Sequence, residues 1–334
     1  MSRDDYNMFM DGMNHSGTNG RHAKKFQSGY DILIYPNQIG DNWKMYICIS
    51  NHEVLWPIHI HKDNINMKTY FVDSFTSEKF KGNPAAVCFP DTELEVDTMQ
   101  KMANEIGFSE TAFIRPIRDN TYSIRFFTPK IEIPLCGHAT LASSKIIFDT
   151  SSFENIKFIN INQVELLIEK ENNNIKMFFP VYETEDIEVP KKMLDSLGIT
   201  EIVNKRYNPN TKIILIEIED AFVLANLKPD FVALTNSYTG INGVLVTAIS
   251  NTDRYDFHYR YFWPWAGTNE DPVTGGVQTF LTKYWATKLN KTTLNAFQSS
   301  SRTGTMQTSL FEDKVCISGQ AVIVLEGQFI LWPW

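Results

Sequence analysis

The distribution of apolar and polar residues changes character at Met67. The first thirty residues are polar, rich in Gly, Asn, Ser and His, and without periodicity, so we expect them to be mobile. Residues 31–60 contain alternating apolar positions that indicate strands. From Met67 onwards, short apolar runs alternate with turn residues, which is typical of a folded α/β domain.

The segment after Met67 predicts strands, two helices and a hairpin. The strands are expected at 68–75, 85–89, 108–114 and 122–127, and the hairpin at 163–180. The first helix is predicted from Asp97, a cap that would form a capping box with Gln100, to Gly107. The second helix, at 139–148, has one charge and many small residues, so we expect it to be buried nearly all round.

An acidic segment bounded by prolines, 180–190, separates this part from a second set of elements. The pattern predicts strands at 212–218, 243–249 and 255–263, a polar turn at 268–276 and a helix whose buried face begins at Val277. It also predicts a closing hairpin at 314–330 that divides near Glu326-Gly327.

Two segments of the chain resemble each other. Arg125 begins an Arg-aromatic-aromatic-x-Pro strand that leads to Cys136, Gly137 and a buried helix, and Arg260 begins a second one that leads to Asp271, Gly275 and a buried helix. This indicates two lobes built on one pattern, although a short strand motif also repeats by chance. A glycine before a helix lets an anion approach the free backbone N–H groups, so two such helix starts favour a carboxylate site.

Composition and charge narrow the class of protein. Apolar residues make up 43% of the 334 residues, and the net charge of −8 disfavours a nucleic-acid surface. No stretch is long and apolar enough to predict a membrane span, and the polar N-terminus predicts no secretory signal. The four cysteines fit neither a CxxC pair nor a disulfide framework, so we expect a reduced, cytoplasmic protein with buried thiols.

Three residues at the starts of elements are candidates for acid/base chemistry. Glu110 opens a strand and would act as a proton carrier if burial raised its pKa, or else be a solvated strand-edge residue. His138 would donate a hydrogen bond or relay a proton, or else cap the helix or lie in the core. Asp271 would fix a substrate amine or orient an imidazole, or else be a turn or N-cap residue.

The cysteines and two histidines suggest further sites. Cys136 precedes a helix, where a thiolate is stabilised, but a two-thiol racemase needs a second cysteine at the opposite helix start, which here has Asp271. His59 and His61 share one face of a strand, yet no carboxylate or thiol at ligand spacing supports a metal site there.

Five motifs in order resemble the PhzF family of phenazine biosynthesis-like isomerases. They are FKGNPAAVC at 80–88, SETAF at 109–113, PLCGHATLA at 134–142, EDPVTG at 270–275 and QAVIVLEG at 320–327. The resemblance covers residues 68–331. It excludes the N-terminal extension, and this makes Met67 a plausible alternative start.

The resemblance implies an α+β, diaminopimelate-epimerase-like fold of two pseudo-symmetric lobes, each a mostly antiparallel sheet around a central helix. Lobe 1 would span 67–183 with return strands at 318–331, lobe 2 would span 184–317, and 1–66 would be a partly disordered extension. The family's acid/base glutamate matches Glu110, and its pocket histidine and aspartate match His138 and Asp271. The remaining expected substrate contacts are Cys136, Gly137, Gly275 and Gly276.

The expected function is that of an isomerase that moves a proton on a small carboxylate without a metal or organic cofactor, as a homodimer. The chain departs from the family pattern at Gly276, Val277 and Gln278, and has Arg302-Thr303-Gly304 where Arg-Gly-Gly is usual. These changes keep open the alternative of a binding or regulatory protein with reduced catalysis. A cysteine-dependent racemase that uses Cys136 is a third, weaker possibility.

Overall fold

A computed structural model describes the backbone of residues 22–25, 31–34, 37–39, 42–49, 52–60 and 65–331, and side chains from Met67 to Phe329. The chain divides into two compact units, Met1–Ile65 with Ile330–Trp334, and Asn66–Phe329. The expectations of a mobile start and of the roles of the His59 and His61 side chains lie outside the described residues.

The smaller unit contains two sheets. Strands β1 (His22–Lys25) and β2 (Asp31–Ile34) form an antiparallel pair. Strands β3 (Asn37–Ile39), β4 (Asn42–Ile49) and β5 (His52–Ile60) form a three-stranded antiparallel sheet. The alternating apolar pattern of 31–60 therefore corresponds to strands.

The first half of the larger unit has eight strands and two helices. The strands are β6 (Ile65–Ser74), β7 (Asn83–Phe89), β8 (Thr111–Arg118), β9 (Thr121–Phe127), β10 (Glu132–Ile133), β11 (Asn155–Ile159), β12 (Glu165–Glu171) and β13 (Asn174–Pro180). The helices are α1 (Val96–Ile106) and α2 (Gly137–Thr150).

The second half repeats this order with additional short helices. Its strands are β14 (Asn204–Asn208), β15 (Ile213–Ile218), β16 (Gly243–Ile249), β17 (Phe257–Trp263), β18 (Thr268–Asp271), β19 (Thr293–Gln298), β20 (Gly304–Leu310), β21 (Lys314–Gly319) and β22 (Ala321–Leu331). Its helices are α3 (Lys191–Leu197), α4 (Ala221–Ala225), α5 (Phe231–Ser237) and α6 (Gln278–Leu289), and Pro264–Ala266 forms a 3₁₀ turn.

The strand pairings of the two halves are the same. In the first half, β6 pairs with β7 and β8 with β9 in the antiparallel sense, whereas β7 and β8 are parallel. Strand β9 also pairs with β10, antiparallel, and with β11, parallel. Strand β12 then pairs with both β11 and β13, antiparallel. The strands β14 to β21 repeat each of these relations in order. We call β6–β13 lobe 1 and β14–β21 lobe 2. The repeat confirms the two pseudo-symmetric lobes expected from the sequence.

The lobes share strands. β21 pairs with both β20 and β13, so the two sheets are continuous, and β22 lies beside β6. One hydrophobic core cluster includes residues of both α2 and α6, and a second lies in lobe 2 under α3, α4 and α5. Helices α2 and α6, the central helices of the two halves, therefore pack in the main core. This packing fixes the positions of their N-termini.

Helix α2 is buried along most of its length despite its hydroxyl groups. The side chains of Thr140, Ser143 and Ser144 each donate a 2.7 Å hydrogen bond to a carbonyl one turn earlier. Because the helix itself satisfies these polar groups, they can be buried without other partners. Small hydroxyl residues thus let the sheet pack closely around the helix.

The arginines of the repeated motif have the same structural role in both lobes. Arg125 in β9 makes two 2.7 Å hydrogen bonds to Glu132 in β10. Arg260 in β17 pairs in the same bidentate way with Glu270 in β18, at 2.7 and 2.8 Å. Each pair stabilises the strand that leads to a central helix.

Three local predictions are wrong. Helix α1 begins at Val96 with Glu95 at the N-cap, and no capping side chain bonds there, because the amide of Gln100 donates to the carbonyl of Thr128 instead. The expected polar turn at 268–276 begins as strand β18, which pairs with β17. In both places a tertiary partner outweighs the local signal.

The third concerns the closing hairpin, which divides at Gln320 and not near Glu326-Gly327. Strand β21 ends at Gly319, and β22 runs from Ala321 to Leu331 through both of those residues. A glycine within a strand therefore gave a false turn signal.

Within the described part of the chain, no helix is both long and apolar enough to cross a membrane.

Candidate active site

The structure brings Glu110 and His138 together at the starts of two elements. Glu110 directly precedes β8, where its carbonyl accepts a 3.3 Å hydrogen bond from the Ala86 N–H of β7. His138 is the second residue of α2. Its Nε2 lies 3.1 Å from Oε2 of Glu110, and both side chains are about nine-tenths buried. The sheet and the central helix thus hold a carboxyl and an imidazole in contact.

Asp271 comes from the other lobe and is joined to this pair by Asn83. Asp271 ends β18, and Asn83 begins β7. The Asn83 Nδ2 lies 2.8 Å from Oδ1 of Asp271 and 3.2 Å from Nδ1 of His138. The three predicted catalytic residues therefore form one buried cluster that spans the two lobes.

The turn after Asp271 is fixed by Gln298, a fully buried residue of β19. Its Nε2 donates to the carbonyl of Asp271 at 2.6 Å, and its Oε1 accepts from the N–H of Thr274 at 2.7 Å. The hydroxyl of Thr274 also donates to Oδ2 of Asp271. Both carboxylate oxygens of Asp271 are thereby held by hydrogen bonds, so its orientation is rigid.

Oε2 of Glu110 is a buried carboxylate oxygen without a hydrogen bond in the described part of the chain. Although His138 Nε2 is close, Oε2 of Glu110 has no aligned donor among the described residues and is shielded from solvent. A buried carboxylate oxygen in that state is costly, because it has lost water without gaining a full replacement. It is therefore available to accept a proton or a donor from a bound molecule.

The expected rise in the pKa of Glu110 is wrong in direction. Burial raises the pKa of this carboxyl, but the charge of the neighbouring His138 outweighs it, so the net pKa is lowered. The apolar surroundings seen in the sequence are real, and the imidazole beside the carboxyl reverses their effect. Glu110 is thus held as a carboxylate, the form that accepts a proton.

Asp271 and His138 have shifted pKa values as well. Burial raises the pKa of Asp271 to about 6, against the opposing effect of His138 and the hydrogen bonds of Thr274 and Asn83. Burial lowers the pKa of His138, but the adjacent Glu110 carboxylate raises it by more, so the net pKa is well above its usual value. Clustered groups with opposing shifts are typical of catalytic sites.

Cys136 lies against the imidazole as a buried thiol. Its Sγ is 3.5 Å from Nδ1 and 3.9 Å from Nε2 of His138. Burial raises the pKa of this thiol, despite the opposing charge of His138, so the protonated form is favoured. The raised pKa weakens the case for a thiolate nucleophile.

Glu110, Cys136 and His138 also offer three metal-ligand atoms within 4.8 Å of one another. The carboxylate faces Nε2, whereas the sulfur lies closer to Nδ1. One imidazole nitrogen binds one ion in line with its lone pair, at about 2.0–2.1 Å for zinc. The three donor atoms are thus close enough for one ion, although the sulfur lies nearer to the ring nitrogen that does not face the carboxylate.

The expected glycines at the helix starts differ in surroundings. A Cβ added at Gly137 or Gly276 would meet no described atom within 4 Å, so the backbone at both positions is accessible to another molecule. A Cβ at Gly275 would lie 3.0 Å from the ring of Phe75. Gly275 thus allows close packing, while Gly137 and Gly276 fit a substrate-contact role.

A second contact between the lobes lies next to this cluster. Arg302 donates a 2.7 Å hydrogen bond to Oδ1 of the buried Asp73, and also bonds the carbonyls of Lys81 and Gly82. Gly82 has a φ of +67°, and a Cβ there would lie 2.1 Å from the carbonyl oxygen of Ser74. Only glycine fits this turn, which leads directly into Asn83.

The sequence does not identify Asn83, Gln298 and Arg302 as members or supports of the site. Asn83 stands in one of the quoted motifs, but its local pattern indicates a turn residue, because Asn-Pro breaks regular structure. Its buried position next to Asp271 depends on contacts between residues far apart in the chain. For Gln298, the sequence contains no comparable signal.

Comparison with known proteins identifies similar chains. The family model described as phenazine biosynthesis-like protein, PhzC-PhzF, matches residues 72–327. An uncharacterized isomerase of Halalkalibacterium halodurans is 41% identical over 266 residues, which cover 78% of this chain and 98% of that protein. The human phenazine biosynthesis-like domain-containing protein is 36% identical over 285 residues, covering 79% and 99%.

Solved structures have the same fold. A PhzF-family protein of Enterococcus faecalis superposes with a TM-score of 0.74 at 35% identity, covering 80% of this chain and all of that one. A predicted epimerase of Pseudomonas aeruginosa has a TM-score of 0.59 at 15% identity, over 78% and 98%, and shares the fold alone. The homologues named isomerase support an isomerase-type function.

Proposed function

Because this chain belongs to the phenazine biosynthesis-like family, PhzC-PhzF, we propose that it is an isomerase that moves a proton on a small carboxylate substrate. The reaction uses acid/base catalysis by the chain's own residues and needs no metal or organic cofactor. Glu110 is the proton carrier, and His138 and Asp271 complete the site.

One observation carries the proposal: the buried contact between Glu110 and His138. The imidazole lowers the pKa of the Glu110 carboxyl, so the carboxylate is ready to accept a proton, and its Oε2 has no aligned hydrogen bond. A solvated glutamate at a strand edge would have neither property. General bases must lie within hydrogen-bond reach of their proton and be unprotonated before they act.

The proton transfer is balanced within the substrate and Glu110. Glu110 accepts a proton from an acidic substrate carbon, so an O–H bond forms as the C–H bond breaks, and the electron pair delocalises over the substrate's conjugated or carboxylate group. The protonated Glu110 then returns the proton to another carbon. His138 stabilises the carboxylate form of Glu110 before the first step and after the second.

The substrate carboxylate is held by backbone N–H groups at the starts of the central helices. Gly137 begins α2, and Gly276 precedes α6, and neither position has a described protein atom where a side chain would lie. N–H groups there are without intrahelical partners, and the helix dipole favours an anion. Binding and proton transfer are therefore assigned to different groups.

The test is deuterium uptake from heavy water into small amino acids and cyclic carboxylic acids that raise the melting temperature. Glu110→Gln keeps the size of the side chain but cannot carry the proton, so we expect exchange to fall by at least ~10²–10⁴-fold. Ligand affinity measured by calorimetry should change little. Glu105→Gln, an exposed glutamate of α1, is the matched control and should exchange normally.

The outcomes separate the candidate functions. Exchange that persists in Glu110→Gln would exclude Glu110 as the base and make His138 the next candidate. Ligands that bind without exchange in the wild type would favour the binding or regulatory alternative, which the departures at Gly276 and Gln278 first suggested. Gln278 is fully buried, and its Oε1 accepts a hydrogen bond from Thr282 within α6, but its Nε2 has no partner among the described residues.

A further inference from the structure

We propose that Asn83 is a positioning residue that keeps the proton of His138 on Nε2, facing Glu110, and off Nδ1. The inference rests on the proposed function for its catalytic meaning, whereas the hydrogen-bond arrangement that carries it does not depend on a substrate. Asn83 is fully buried at the boundary between the lobes, and its side-chain nitrogen is close to three acceptors.

The orientation of the Asn83 amide is fixed by two oxygens of lobe 2. Nδ2 lies 2.8 Å from Oδ1 of Asp271 and 2.9 Å from the carbonyl oxygen of Val273. The reversed amide would place its oxygen against a carboxylate and a carbonyl, and no hydrogen would lie between them. The nitrogen edge of Asn83 therefore faces Asp271, Val273 and the imidazole.

This orientation determines which ring nitrogen of His138 carries the proton. Nδ1 lies 3.2 Å from Nδ2 of Asn83, so a proton on Nδ1 would point at an amide nitrogen that cannot accept it, whereas a lone pair on Nδ1 can accept from this NH2 group, whose two hydrogens are shared among three acceptors. On the other side of the ring, Nε2 faces the Glu110 carboxylate at 3.1 Å. When the imidazolium loses one proton, the Nδ1 proton is the one that leaves.

The thiol of Cys136 acts in the same direction. Its sulfur lies 3.5 Å from Nδ1 and, as a protonated thiol, offers a weak donor to the same nitrogen. The titratable groups that face His138 are thus Glu110 at Nε2, Cys136 beside Nδ1, and Asp271 beyond Asn83. Of these groups, only Glu110 presents a strong acceptor to the ring, since a thiol sulfur accepts hydrogen bonds weakly.

The consequence is that His138 cannot pass a proton through its ring from Glu110 to Asp271. A relay of that kind would need Nδ1 to donate to an acceptor, and the Asn83 amide separates it from Asp271. The proton taken from the substrate therefore stays on Glu110 and returns to the same substrate molecule. Asn83 thus restricts proton transfer to Glu110 and the substrate, on the Nε2 side of the imidazole.

The test is side-chain ¹⁵N NMR of histidine-labelled protein, which distinguishes the two neutral tautomers. The His138 signals are assigned by their loss in His138→Asn. Above the pKa of His138, we expect protonated Nε2 and unprotonated Nδ1 in the wild type. Asn83→Leu removes the donor and should move the ring toward a mixture of tautomers, and Asn83→Asp places an acceptor opposite Nδ1 and should favour the Nδ1–H form.

Ser74→Ala is the matched control. The Ser74 hydroxyl donates a buried 2.7 Å hydrogen bond to the backbone carbonyl of His138 but does not face the ring. A general disturbance of α2 would thus alter the tautomer in Ser74→Ala as well, and the proposed role would leave it unchanged there. Cys136→Ala separates the thiol's effect from that of the amide and should keep the Nε2–H form.

A wild-type spectrum with protonated Nδ1 and unprotonated Nε2 would overturn the inference, and so would an unchanged tautomer in folded Asn83→Leu. If Asn83→Asp does not fold, the wild-type spectrum and Asn83→Leu decide the matter. The Nε2–H tautomer together with no deuterium uptake into any ligand would support the role of Asn83 in orienting His138 and overturn the proposed isomerase function instead.

Discussion

At the scale of single residues, Asp271 and Glu110 are two buried carboxyl groups with opposite pKa shifts. Burial raises the pKa of Asp271 from 3.8 to about 6, so the folded protein keeps a proton that the unfolded chain has lost. The raised pKa of Asp271 does not affect the free energy of unfolding below about pH 4. Above about pH 6 it lowers that free energy by its full amount. A shift of about two units corresponds to about 3 kcal/mol.

Asp271→Asn keeps the shape of the side chain and cannot ionise. We therefore expect the variant to gain stability relative to the wild type as the pH rises from 4 to 7, by up to about 3 kcal/mol, less any loss from altered hydrogen bonds. The measurement is urea unfolding at a series of pH values. A difference between the two proteins that does not vary with pH would contradict the raised pKa.

Glu110→Gln should show the opposite pH dependence in the same experiment. The pKa of Glu110 is lowered despite its burial, because of His138, so the carboxylate stabilises the folded protein above its unfolded-state value of 4.5. The variant should therefore lose stability near neutral pH, and the loss should shrink as the pH falls through the lowered pKa. A loss of the same size at pH 3 and pH 7 would exclude the ion pair as its cause.

Cys136→Ala should keep substantial activity on any substrate that the wild type converts. The thiol has a raised pKa, and Asp271 occupies the position where a second thiol would be needed. Activity is measured as deuterium uptake, with the melting temperature as a check on folding. A loss of several orders of magnitude in a folded variant would restore the thiol mechanism.

The sequence predicted the acidic and imidazole groups of the site but not the amides that connect them. Glu110, His138 and Asp271 stand at motif positions with recognisable chemistry, next to glycines and element boundaries. Asn83 looks like a turn residue because its local signal is the following proline. Its contacts with Asp271 and Val273 join positions far apart in the chain, and periodicity carries no information about them.

At the scale of elements, the repeated arginine–glutamate pairs differ in burial. The Arg260 side chain is 9% exposed, that of Arg125 is 27% exposed, and Arg260 also donates to the carbonyls of Leu224 and Leu227 near the end of α4. Removing one partner of a buried pair leaves a desolvated charge, whereas exposed pairs contribute little.

We expect Arg260→Met to cost about 3–5 kcal/mol and Arg125→Met about 1 kcal/mol. The pseudo-symmetry makes each variant the control of the other, since both residues occupy the same place in their lobes. Chemical unfolding of both variants provides the measurement. Equal losses would mean that burial and the bonds to α4 do not distinguish the two pairs.

Predicted elements failed where a long-range partner was available. Gln100 has the spacing of a capping box, but its amide reaches the carbonyl of Thr128. The polar run after Gly267 looks like a turn, yet Glu270 pairs with Arg260 and Asp271 lies opposite Tyr261 in β17. By contrast, the apolar, small-residue composition of α2 and the apolar periodicity of α6 located the two central helices, because their burial is a property of the segment itself.

At the scale of the whole molecule, the internal repeat was the most informative part of the sequence. It suggested two lobes before any family resemblance, and the identical strand pairings confirm it. The shared strand β21 left no sequence signal, since a strand paired on both edges has the same pattern as any buried strand. The homodimer stays a prediction, which analytical ultracentrifugation would test.

The last prediction concerns a chain that starts at Met67. The division into two compact units places 66–329 together, and the pairing of β6 with β7 begins at Lys68. The two core clusters of this unit take their residues from Tyr70 to Ala321, so the shortened chain keeps all of these side chains. Its hydrophobic stabilisation should therefore be nearly that of the full chain.

We expect this shortened chain to melt cooperatively within a few degrees of the full-length protein, in calorimetry at equal concentration. A chain that starts at Thr76, and so lacks β6, is the matched control: it loses the partner of β7 and the buried Val72 and Phe75, and should fail to fold. If both chains are insoluble or melt without cooperativity, residues before Met67 are required for folding. If only the second fails, the lobes fold without them.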